Sequence, residues 1–166
     1  INNKRVWDYN FNLATGGYFT VGTLCHEFFH SLGAPDLYHY YADGAPVACG
    51  GWDIMDGSND PPQYMGAFMK AKYGHWIEDN NNDGVSDEND IPIITEPGVY
   101  ELNPLQESTN YIYRINSPYT NSEYFVVEYR VKEGMYDSNT PGNDEGLLVY
   151  RINTQVGDGN ADGPPD

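Results

Sequence analysis

The stretch HEFFHSLGAPD, residues 26–36, holds two histidines and two acids at a spacing that can do chemistry. On a helix, positions four apart share one side, so His26 and His30 can grip a single cation. Glu27 sits beside them and can reach a metal-bound water without being a ligand itself. Zinc suits this arrangement because it lowers the pKa of bound water towards neutrality and polarises a carbonyl. Glu27 then takes the proton as the water attacks and returns it to the leaving amine, which makes it the expected catalytic base. Without a metal, the same pair reads as two solvated imidazoles on a helix surface.

The residues after the second histidine favour the metal. Gly33 can adopt the positive φ that ends a helix sharply, and the turn carries Asp36, six residues after His30, back towards the ion. A carboxylate there completes three protein ligands and leaves the fourth position open, as a catalytic zinc site requires. The rival arrangement takes its third ligand from a glutamate on a later helix. Residues 64–77 contain no Asp or Glu, and Glu78 is the nearest donor. His39 and Asp43 are further candidates, in a tyrosine-rich loop where a solvated side chain is the ordinary expectation.

The elements that must present these residues can be read in outline. Val21, Leu24, Cys25, Phe28 and Leu32 recur at three- and four-residue intervals, predicting a helix with one apolar stripe that Gly33 and Pro35 stop. Pro61 and Pro62 are expected to open a second helix, with Tyr64, Met65, Phe68, Met69, Lys72 and Tyr73 on one face and an end near Gly74. Beyond the acidic stretch 79–90 the period changes to two. Phe125, Val127, Tyr129 and Val131 point one way, and Tyr124, Val126, Glu128 and Arg130 the other. Shorter strands are expected around 99–103, 110–116 and 146–153, giving a small antiparallel sheet. Glu128 reads as the partner of Arg130 or another base in that sheet rather than as a catalytic acid. The fold class is therefore α+β. Residues 1–78 form the zinc-binding part, and residues 79–166 an acidic loop and β-rich part of the same region.

With 166 residues the chain can bury one real core without disulfide staples. Cys25 and Cys49 allow either one bridge, tying the first helix to the loop before Gly50-Gly51-Trp52, or two free thiols. A formal net charge of −17, from 25 acidic against 8 basic side chains, repels nucleic acid and anionic membrane surfaces. No run of about 18 apolar residues exists, so no membrane insertion is expected. The start at Ile1, with no initiator methionine or signal peptide, is what a piece cut from a longer precursor would show.

The acidity is clustered. Asp79, Asn81 and Asp83 fall at positions one, three and five of a calcium loop, Gly84 at six, Val85 at seven, Asp87 at nine and Asp90 at twelve. Asp90 is one methylene shorter than the usual bidentate glutamate, and the flanks do not read as a helix pair. A calcium site and a solvated acidic loop are both open readings. A second start, Asp158, Asn160, Asp162, Gly163 and Asp166, stops before its twelfth position. Calcium bound at either loop would brace the folded state by mass action.

HEFFHSLGAPDLY followed by GGWDIMDGS resembles the immune inhibitor A-like (M6) family of secreted bacterial metallopeptidases, which are metzincin-like. SEYFVVEYRVKEGMYD and GNDEGLLVYRIN are similar to strands that come after the active site in that family, so the resemblance covers most of residues 18–153. It implies an extracellular zinc endopeptidase acting on proteins or peptides, with Met55 in a tight turn as the apolar floor under the zinc. It also implies an upper sheet before the metal helix. Only 25 residues precede His26, so that sheet is expected to be largely missing here, and the stretch can hold the metal without being a complete enzyme. Two other functions compete: a non-catalytic, calcium-stabilised binding module that keeps a metal site, and a zinc hydrolase acting on something other than peptides. Glu27 argues against the module, because a site without catalysis needs no acid beside the metal.

Overall fold

Thr20 starts the first helix. Its extended backbone and side-chain oxygen cap α1 (Val21–His30) by accepting from the Thr23 amide at 3.1 Å. Gly33, at φ 95°, turns the chain away and donates its amide to the His30 carbonyl at 2.9 Å. The computed structural model describes residues 10–155 apart from 13, 15, 18 and 41–47. The buried face of α1 is Gly22, His26 and Phe29. Val21, Leu24, Cys25, Phe28 and Leu32, the stripe that periodicity singles out, lie exposed instead. Gly22 explains the orientation: a Cβ there would stand 1.9 Å from the Asn59 carbonyl oxygen, so the helix backbone itself presses on the loop and brings His26 inward.

The second helix is shorter than expected. It covers Ala67–Lys72 (α2) and leaves 61–66 non-helical. The cause lies elsewhere in the chain, where three carboxylates claim the amides that would have opened it. Tyr64 N donates to Asp137 at 2.8 Å, Gly66 N to Asp53 at 2.5 Å and Ala67 N to Glu128 at 2.5 Å. Lys70 is buried despite its charge. Its ammonium donates to the Leu105 and Glu107 carbonyls at 2.8 and 2.7 Å, and burial pulls its pKa down to about 8.

A three-stranded antiparallel sheet, ordered β1-β2-β3, forms the second half: β1 (Ile112–Asn116), β2 (Glu123–Arg130) and β3 (Gly146–Asn153). Val127 sits across from Tyr113 on one side and Val149 on the other. Alternation along β2 is as expected, and the buried side is the one carrying Tyr124, Val126, Glu128 and Arg130. No strand forms over 99–103, where Val99 is fully exposed and has no surface to pack on. The apolar core runs through both halves, joining Phe29, Ile54 and Met55 to Phe68, Leu105, Tyr111 and Val126. Among the described residues no helix is long and apolar enough to cross a membrane.

Candidate metal centre

The turn after α1 brings Asp36 over the two histidines. Its Oδ1 stands 2.9 Å from His26 Nε2 and 3.3 Å from His30 Nε2. Among the described residues, these three form the one group of His, Cys, Asp and Glu side chains whose ligand atoms all lie within 4.8 Å of one another. His26 and Asp36 are buried and His30 is half-buried, with the two imidazoles edge to face at 4.9 Å between centroids.

The outer hydrogen bonds fix the tautomers. His26 Nδ1 lies 2.7 Å from the Ile54 carbonyl, and His30 Nδ1 2.7 Å from the Ala34 carbonyl. A carbonyl can only accept, so each Nδ1 donates, and a ring that is neutral then presents its lone pair at Nε2. Asp36 Oδ1 is buried and accepts no hydrogen bond, although both Nε2 atoms are close to it. With both rings neutral, as metal ligands must be, three lone pairs face one point, and the orphaned oxygen alone costs about 1–3 kcal/mol. A divalent cation satisfies all three at once. The donor set of two imidazoles and one carboxylate, with one corner left over, fits a tetrahedral ion of the zinc type.

Glu27 is half-buried next to His26, and among the described residues no hydrogen bond or ion pair holds its carboxylate. Two tyrosines close the other side. Tyr40 donates its hydroxyl to Asp36 Oδ2 in a short hydrogen bond, which is the largest cause of its raised pKa. Tyr38 lies over His26 with ring centroids 6.4 Å apart, and partial burial first, then the Asp36 charge, raise its pKa as well. Tyr40 gives no signal in the sequence, because it sits in an irregular loop with no period to place it. Glu78, the rival donor, is exposed and distant from the group, lining a separate surface hollow with Trp76 and Glu107. His39 is half-buried and outside the group, and Asp43 falls outside the described residues.

Below the histidines runs the turn 52–57. Asp53 accepts the Met55 amide at 2.8 Å, the two-residue reach typical of an Asp-led turn, and the Gly66 amide at 2.5 Å. Burial pushes Asp53 up to about 6. Met55 is fully buried in this turn, and its carbonyl accepts the Leu37 amide at 2.9 Å. Gln63, also buried, donates its amide nitrogen to the Gly51, Asp53 and Gly57 carbonyls and so plugs the loop. Cys25 and Cys49 are both free thiols, and burial ahead of the nearby acids pushes Cys49 up to about 12.

The acidic loop is organised differently. Asp79 accepts the Asp83 and Gly84 amides at 3.2 and 3.0 Å, Asn81 accepts Asp83 at 2.9 Å, and Asp83 accepts Val85 at 2.9 Å. Asp87 caps a single 3₁₀ turn, Glu88–Asp90, and Asp90 is buried, accepting the Asn81 and Asp87 amides at 2.9 and 3.0 Å. Gly84 has φ 90°, as its place in the loop demands. No helix pair flanks the loop. The second calcium-like start, from Asp158 to Asp166, lies outside the described residues.

Comparison with protein-family models, with curated proteins and with solved structures finds no match.

Proposed function

We propose that this chain is the metal-binding part of a zinc-dependent endopeptidase, with His26, His30 and Asp36 as ligands and Glu27 as the catalytic base. The observation that carries the reading is the convergence of two Nε2 lone pairs on a buried carboxylate oxygen that accepts no hydrogen bond. Zinc held there supplies a Lewis acid that polarises a peptide carbonyl and acidifies the attacking water. Glu27, one residue from a ligand and without a hydrogen bond or ion pair among the described residues, accepts that water's proton and delivers it to the leaving amine. Tyr38, which keeps its proton at neutral pH and whose ring centroid lies 6.4 Å from that of His26, is the candidate donor to the oxygen on which charge develops. The likeness to secreted metallopeptidases supports protein or peptide substrates, an extracellular setting and a floor role for Met55. Calcium, if taken up by the 79–90 loop, would brace the fold and take no part in the hydrolysis.

Glu27→Gln is the direct test. In the full-length parent it should bind zinc as the wild type does while hydrolysis of an unfolded protein substrate falls by about 10²–10⁴-fold. Unchanged turnover rejects Glu27 as the base. A complete parent protein that binds zinc stoichiometrically but cleaves no peptide bond favours the binding module instead.

A further inference from the structure

The metal-binding residues are held by a turn, and the turn is held by a charge cluster buried in the sheet. We propose that Arg130, at the centre of that cluster, is a positioning residue for the metal centre, acting through the 52–55 turn. This role rests on the zinc reading and extends it to the second half of the chain.

Arg130 is 2 % exposed at the end of β2. Its guanidinium is fixed on two sides, by Glu128 at 2.6 Å and by both oxygens of Asp137 at 3.1 Å. The remaining nitrogen, Nη2, donates to the Trp52 carbonyl at 2.8 Å. That carbonyl opens the turn whose next residues are Asp53, Ile54 and Met55. The Ile54 carbonyl accepts from His26 Nδ1, and the Met55 carbonyl accepts the amide of Leu37, the residue after Asp36. One short turn therefore sets the orientation of two of the three proposed ligands. The sheet reaches it through a planar, forked cation that a lysine cannot copy. The carboxylates that clamp Arg130 also hold the chain leading into α2, since Glu128 accepts Ala67 N and Asp137 accepts Tyr64 N. The cluster thus registers sheet, turn and helix against one another.

Arg130→Lys keeps the charge and loses the fork. In the wild-type chain and the variant, zinc affinity is measured by competition with a chromophoric chelator, and ligand geometry by the visible spectrum of the cobalt(II)-loaded protein. Arg130→Lys should weaken zinc by up to about tenfold, because it acts one step beyond the direct partners of the ligands, whose own loss costs about 10–100-fold, and change the cobalt spectrum. Lys70→Met, which removes another buried cation whose hydrogen bonds go to the Leu105 and Glu107 carbonyls and not to the turn, should leave both readouts as in the wild type. If Arg130→Lys fails to fold, Asp137→Asn, which loosens the guanidinium clamp, is read by the same criterion. Wild-type affinity and spectrum in the folded variant overturn the proposal, and so does an equal loss in Lys70→Met, which would mean general loosening. A wild-type chain that binds neither ion removes the metal centre itself and overturns both readings, a result distinct from either of the others.

Discussion

Two regions of this chain gather carboxylates, and they differ in what the oxygens face. In the 79–90 loop Asp79, Asp83, Asp87 and Asp90 all accept backbone amides of their own segment, so the loop closes by itself. At the end of α1 the buried Asp36 Oδ1 accepts nothing and meets two imidazole lone pairs. An acid whose oxygens are satisfied locally shapes the backbone. An acid left unsatisfied beside other groups of the same polarity calls for a cation.

The contrast breaks most readily at the carboxylates themselves. Asp36→Ala should lower zinc affinity about a thousandfold, one ligand's share of the roughly 10–16 kcal/mol that typical protein zinc sites deliver. Asp79→Ala should leave zinc untouched. Zinc content after exhaustive dialysis reads both, and full retention in Asp36→Ala would move the third ligand elsewhere.

Acid should act on the two regions with opposite sign. Asp53, under the metal site, is raised from 3.8 to about 6, so the folded state holds a proton that the unfolded chain has released between those values. Stability therefore falls as pH rises from about 4 to about 6, by on the order of 3 kcal/mol. Asp90 is lowered, chiefly by the Asp87 amide, so its contribution is present above the unfolded value and is lost as pH falls through the depressed one. Urea midpoints of the metal-free protein across this range should lose the first slope in Asp53→Asn and the second in Asp90→Asn. Slopes of one sign in both regions would contradict the assignment.

Smaller effects sharpen the comparison. Tyr40→Phe removes the hydroxyl that holds Asp36 Oδ2 and should weaken zinc about fivefold, one hydrogen bond's worth, without changing the folded yield. Calcium should act least. Because the loop is already closed by its own amides, millimolar calcium should raise the melting midpoint by less than saturating zinc does, and a larger rise would make the loop the dominant cation site.

Much of the proposed site could be read from local spacing. His26 and His30 need only helical geometry to share a side, and Gly33 needs only its freedom at positive φ to bring Asp36 round. The Asp53 turn under Met55 likewise obeys a two-residue rule. What local patterns do not carry is how distant segments compete for the same groups. Pro61 and Pro62 suggest a helix start, but Asp53, Glu128 and Asp137 take the amides that would have formed its first turn. The stripe from Val21 to Leu32 suggests a core-facing side. The contact of Gly22 with the Asn59 carbonyl decides otherwise and turns His26 inward. Residues 99–103 carry strand-forming types, yet no neighbour pairs with them along their length. Strand β2 is legible because it alternates, and β1 and β3 each pair with it along their length.

Anomalous scattering at the zinc absorption edge, from crystals of the zinc-loaded protein, tests the metal centre most directly. A single strong peak should stand about 2.0–2.2 Å from His26 Nε2, His30 Nε2 and an Asp36 carboxylate oxygen, with one corner facing Glu27. A peak at the 79–90 loop or elsewhere, with those three side chains unligated in a protein that holds stoichiometric zinc, would contradict it.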